Sequence, residues 1–132
     1  MFYTISNIAR RLNLDAGAAH LPPLILFTDE ERMPMPQEIA PRLPAGSAVV
    51  LRHYNSPRRK NLAHMLRSIC HTHTLLLIIA DDIQLATEVR ADGLKIIVHK
   101  KKCNIQQICS VKKVKSALET ELQLAILKKA VI

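Results

Sequence analysis

The chain has 132 residues, which suits one domain and is too short to close an eight-stranded barrel of alternating strands and helices, a fold of roughly 200 residues or more. Apolar residues make up 48%, which excludes wholesale disorder, and the longest unbroken apolar run, Leu75 to Ala80, falls far short of a membrane span. The formal charge of +8 raises the prior for anionic partners, but it is unevenly placed: residues 1–94 carry nine Arg, one Lys and nine acids, whereas residues 95–132 carry nine Lys, no Arg and two acids.

Taken in order, Ser6 suits the cap of a short helix whose face is Ile8, Ala9 and Leu12, stopped by Gly17 and then by Pro22-Pro23. Leu24 to Thr28 reads as a buried strand. Met33 to Pro44 holds four prolines, and Gln37 to Arg42 has room for a turn or two of helix interrupted at Pro41. Ala48 to Arg52 is the second strand. Ser56-Pro57 reads as an N-cap with proline at the first helical position, opening a helix with the stripe Leu62, Met65, Leu66, Ile69. Leu75 to Ile79 is the third strand, Ile83 to Arg90 a helix, and Leu94 to Val98 the fourth strand. These strands are continuous apolar runs rather than alternations, the pattern of parallel strands buried on both faces. The strand–helix order implies repeated βαβ units. Beyond Val98 the pattern changes to a lysine cluster, a short helix over Ile105 to Val111, and an amphipathic helix with the stripe Val111, Val114, Leu118, Leu122, Ala125.

In parallel α/β folds the chemistry collects at the carboxyl ends of the strands. Thr28-Asp29-Glu30 follows the first strand, Arg52-His53-Tyr54-Asn55 the second, Asp81-Asp82 the third, and His99 with the lysines after it the fourth. A guanidinium there matches phosphate oxygens, and carboxylates suit Mg²⁺. One of Asp81 and Asp82 has an alternative role as a helix cap. Arg58-Arg59-Lys60 reads as a solvated first turn, although basic groups at a helix N-terminus oppose its dipole and so favour an anion contact. Cys70-His71-Thr72-His73 is a helix end, because no second cluster completes a zinc set. No glycine-rich phosphate loop and no nucleophilic triad is present, and no catalytic residue is assigned. The three cysteines, Cys70, Cys103 and Cys109, are read as reduced thiols, and no secretory signal opens the chain, so the expected compartment is the cytoplasm. The first helix lacks a recognition partner, and the lysine tail lacks stacking aromatics, so nucleic acid is not an expected partner, nor is a membrane.

Four segments carry a resemblance: Leu21-Pro22-Pro23-Leu24-Ile25-Leu26-Phe27-Thr28-Asp29, Leu51-Arg52-His53-Tyr54, Leu77 to Ala86 around Asp81-Asp82, and Ala91-Asp92-Gly93-Leu94. They resemble the first half of the thiamine-phosphate synthase family, including its TenI-like branch. The resemblance implies an α/β fold, a partial (β/α) barrel of about four parallel strands, here followed by a C-terminal amphipathic helix. It implies the transferase chemistry of thiamine biosynthesis, in which an aminopyrimidine diphosphate is joined to a thiazole phosphate with Mg²⁺. Carried over by position, Arg52 and Tyr54 are substrate-binding residues and Asp81 is a metal ligand. The chain departs from the family pattern at Tyr54 (for Lys), Ala80 (for Asn), Arg90 (for Gly) and Lys95 (for His). The pattern ends near residue 94, where Arg gives way to Lys. The expected organisation is therefore a helical segment over 1–20, half of a barrel-like domain over 21–98, and an unrelated lysine-rich helical tail over 99–132. Such a truncated protein would have reduced or no activity and would self-associate through uncovered sheet edges. The alternative expectation is a non-catalytic binding or regulatory fragment whose basic tail contacts an anionic partner.

Overall fold

The structure, a computed structural model, describes residues 2–100 and 103–109, with side chains described over residues 4–95. Two-sided apolar runs need helices on one face and further cover on the other, and the strands assemble accordingly. β1 (Ile25–Phe27), β2 (Ala48–Leu51), β3 (Leu76–Ala80) and β4 (Gly93–Lys100) form one parallel sheet in sequence order. The helices between them are α2 (Pro36–Ile39, continued by a tight turn over Ala40–Arg42), α3 (Arg59–Thr72) and α4 (Ile83–Glu88). The four expected parallel strands are therefore present, each within a residue or two of its anticipated bounds.

Strand periodicity divides the core into two faces. Val49, Leu51, Leu77, Ile79 and Leu94 meet Leu62, Ala63, Leu66 and Cys70 of α3 and Leu85 and Ala86 of α4 in one buried cluster. Ala48, Val50, Ile78 and Ala80 form a second cluster on the opposite face. Burial pushes the Cys70 thiol up to about 11, so it behaves as a small apolar group.

Three local expectations are corrected. α1 runs from Phe2 to Asp15, so Ser6 is an interior, fully buried residue rather than its cap, and Ile8 and Leu12 are exposed. Nothing in Phe2 to Ile5 stops a helix, so it begins earlier than the serine signal implied. Its end is as expected: Gly17 adopts φ +70°, and Ala18 N–H reaches the Asn13 carbonyl while Gly17 N–H reaches that of Leu14. α3 begins at Arg59, with the Ser56 hydroxyl accepting from Arg58 N–H at 3.2 Å, so the serine shapes the turn before the helix rather than capping its first turn. Met65, expected in the stripe, is exposed, and Ala63 and Cys70 take the buried positions instead.

The third correction concerns residues 105–111. Cys103–Cys109 form a strand, β5, which returns antiparallel along β4 from Lys100↔Cys103 to Leu94↔Cys109. A helix there would leave one side of β4 unpaired along its whole length, and extension satisfies those backbone groups in a hairpin ladder. The β4 edge expected to be uncovered is thus paired; β1 is the other border, with Ile25 and Phe27 exposed. The amphipathic stripe expected over residues 111–125 lies outside the described residues.

Candidate functional site

Each parallel strand delivers its following residues to one end of the sheet. Thr28, just past β1, is fully buried and joins the first two strand ends. Its hydroxyl accepts the Arg52 backbone N–H at 2.8 Å and lies 2.9 Å from His53 Nδ1. The direction of the Thr28–His53 hydrogen bond follows the imidazole tautomer, because the hydroxyl can accept from Arg52 and still either donate to Nδ1 or accept from it. Burial holds His53 below its usual pKa, opposed by the nearby Glu30 and Asp29 carboxylates. The Thr28 carbonyl accepts Arg52 Nε at 2.9 Å, and Asp29 meets Arg52 Nη2 at 3.5 Å. The guanidinium also lies over the Phe27 ring, 5.6 Å from its centroid. Arg52 is therefore held by its backbone, its Nε and its ring contact while remaining partly exposed. Asp29 is held below the ordinary carboxylate range mainly by the backbone N–H groups of Arg32 and Glu31. Its oxygens are thereby engaged with the protein. A cavity of about 440 Å³ opens here, lined by Thr28, Asp29, Glu30, Arg52, His53 and Tyr54 among others.

Past β3 the two aspartates separate by role. Asp82 is extended (φ −143°), and its carboxylate accepts Leu85 N–H at 2.9 Å, so Asp82 is the cap of α4. Asp81 adopts φ +53°, a left-handed conformation that Asp tolerates, and its N–H donates to the Lys95 carbonyl at 2.8 Å. Among the described residues no hydrogen bond or ion pair holds its exposed carboxylate. The sequence left both roles open; the structure gives the cap to Asp82 and leaves Asp81 free.

Tyr54, half-exposed at the mouth, is flanked by two cations. Arg59 lies 5.6 Å from the ring centroid, and its Nη2 donates to the Ala80 carbonyl. Lys95 Nζ donates to the Tyr54 hydroxyl at 3.3 Å. Sequence reasoning missed both as site members. Arg59 left a signal in its adverse position at a helix N-terminus. Lys95 left another, a charge inside the apolar run Leu94 to Val98. His64 and Lys60, also on α3, point elsewhere: both meet Glu88 at 3.0 Å and hold its carboxyl below the usual range.

A larger cavity, about 620 Å³, lies at the opposite end of the strands. Two arginines among its lining are engaged structurally, Arg10 with the Ala45 carbonyl at 2.8 Å and Arg67 with Asp92 at 3.1 Å. Among the described residues no group of three or more His, Cys, Asp or Glu side chains is placed to hold a metal by itself. No helix there is long and apolar enough to cross a membrane.

Comparison with known proteins identifies the arrangement. Two thiamine-phosphate synthases from strains of Staphylococcus epidermidis are each 41% identical over 39 residues, covering 30% of this chain and 18% of theirs. The structure of thiamine phosphate pyrophosphorylase from Pyrococcus furiosus superposes with a TM-score of 0.49 at 26% identity, covering 57% of this chain and 38% of that one. The chain thus spans well under half the length of the relatives it matches. A family model described as thiamine monophosphate synthase matches residues 24–114, a span that includes every strand and every strand-end residue described above. That is more than half of the chain, and the chain accordingly belongs to the thiamine monophosphate synthase family.

Proposed function

We propose that the strand-end cluster binds an aminopyrimidine diphosphate together with Mg²⁺, as one half of a thiamine-phosphate synthase site. The observation that carries this reading is Asp81, whose carboxylate has no partner among the described residues and which follows Ala80, the residue that the strand register sets opposite Arg52. The donor set fits Mg²⁺ in one way only. One free carboxylate makes no independent metal site, but Mg²⁺ is commonly held by one or two carboxylates together with substrate phosphates and water. Asp81 would hold a cation that arrives on the diphosphate. When bound, Mg²⁺ neutralises charge developing on a departing diphosphate.

The chain's own residues bind and orient. Arg52 presents a planar fork whose direction is fixed by Thr28 and Phe27, so little freedom is lost when an oxyanion docks. Tyr54 forms part of the wall on which a flat pyrimidine can rest. The reading covers binding of the diphosphate partner. The compartment is read as cytoplasmic, where charged diphosphates that do not cross bilayers are made and used.

Isothermal titration with the aminopyrimidine diphosphate tests this. Saturable heat that requires Mg²⁺, weakened at least tenfold in Asp81→Asn, is the expected result. Asn is chosen because it tolerates the left-handed backbone of position 81. Absence of heat from folded protein, or an unchanged affinity in Asp81→Asn, would overturn the reading.

A further inference from the structure

Two buried side-chain atoms near α2, Gln37 Oε1 and His53 Nε2, have no hydrogen-bond partner among the described residues. His53 is 5% exposed, and the Thr28 hydroxyl engages its other ring nitrogen, at 2.9 Å. A buried polar atom left without a partner costs about 1–3 kcal/mol, so two of them call for a ligand. Gln37 and His53 line one small cavity of about 50 Å³, which Pro34 borders on the α2 side and Ser56 and Asn61 on the α3 side. A water molecule fills about 30 Å³ of liquid and needs roughly two to four polar partners, so this cavity has room for one or two. Among the described residues, His53 is the one residue it shares with the strand-end mouth.

The groups around the cavity select the occupant. Gln37 Oε1 only accepts hydrogen bonds, which disfavours an anion, and Arg58 in the lining disfavours a cation. A neutral molecule that both donates and accepts suits the two orphaned atoms. The Pro34 carbonyl lies near enough to the imidazole to favour its protonated form, yet outside hydrogen-bond geometry with Nε2. The α2 side thus offers acceptors to the ring. We infer that one or two water molecules bind in this cavity, accepting from His53 Nε2–H and donating to Gln37 Oε1. The bridge settles the tautomer that the Thr28 contact leaves open. With the ring proton on Nε2, Nδ1 accepts from the Thr28 hydroxyl, which in turn accepts from Arg52 N–H. One directed chain then runs from the Arg52 backbone through Thr28, His53 and water to α2. Gln37 is a positioning residue in that chain, acting on the strand ends without touching them. The inference goes beyond the proposed function and does not depend on which substrate the mouth takes.

Nuclear magnetic resonance of the full chain with isotope-labelled imidazole nitrogens tests this, and its first part needs no variant. The expected result is a His53 ring protonated on Nε2 at neutral pH, with the Nε2–H showing cross-relaxation to a long-lived water. A crystal structure should place an ordered water within hydrogen-bond distance of both His53 Nε2 and Gln37 Oε1. Gln37→Leu removes the far acceptor, so Nε2–H should exchange with solvent faster by about tenfold or more. Gln37→Glu keeps an acceptor oxygen and should keep both the water and the tautomer. Gln37→Met replaces the leucine variant if that one does not fold. A parent ring protonated on Nδ1 would overturn the inference. So would a Gln37 amide bonded directly to the ring with no water between them. A Gln37→Leu protein that melts lower while its tautomer and Nε2–H exchange match the parent would mark Gln37 as packing alone, and would overturn it too.

Discussion

Removing the Thr28 hydroxyl tests how the site is held. In Thr28→Val the shape is nearly conserved, but Arg52 N–H loses its acceptor and His53 Nδ1 loses its partner. Both groups stay buried or partly buried, and an orphaned buried polar group costs about 1–3 kcal/mol. Two of them cost about 2–6 kcal/mol, and the added methyl group returns roughly 0.8 kcal/mol. The net expectation is a loss of about 1–5 kcal/mol. At roughly 4 °C per kcal/mol that is a fall in melting temperature of about 4–20 °C. Urea unfolding followed by far-ultraviolet circular dichroism measures it, with Thr28→Ser as the control that keeps the hydroxyl and loses only about 1 kcal/mol. A Thr28→Val protein within about 0.5 kcal/mol of the parent would refute the claim that this hydroxyl joins the two strand ends.

Two further outcomes follow from the backbone and from protonation. Arg90 sits at φ +53°, a conformation that favours glycine, and its carbonyl contact with Arg67 does not need its side chain. Arg90→Gly should therefore stabilise the protein by about 1 kcal/mol, read as a higher urea midpoint; a lower midpoint would contradict it. His53 is held below its ordinary value of 6.5 by burial, so the unfolded chain takes up a proton before the folded one does. Its contribution is present above pH 6.5 and is lost as pH falls through the lower folded value. Melting temperature should thus decline from pH 6.5 toward 5, and the decline should flatten in His53→Gln. An equal slope in both proteins would rule His53 out as the cause.

How much of this was legible in the sequence follows from the range of each signal. The parallel strands were readable because burial on both faces writes itself as continuous runs such as Leu75 to Ala80. Gly17 was readable because a left-handed helix end admits few other residues. The choice between Asp81 and Asp82 was not, since both precede the helix and only backbone direction separates a cap from a free carboxylate. Arg59 and Lys95 were hidden for a related reason: their meeting at Tyr54 depends on strand register and on the entry of α3, neither of which is a local property. β5 was misread because Ile105 and Ile108 suit a helical face as well as an extended chain, and the backbone requirement of β4 decided between them.

The antiparallel return of β5 also governs how this sheet could grow. A further parallel strand would have to enter beside β4, and β5 holds that place through a ladder running from Lys100↔Cys103 to Leu94↔Cys109. The opposite border, β1, offers only three residues. A further strand, from this chain or another, therefore could not simply dock beside β4. It would have to peel the hairpin away one rung at a time, so adding a strand there would be an exchange reaction with an activation barrier, slow in the cold and faster on warming.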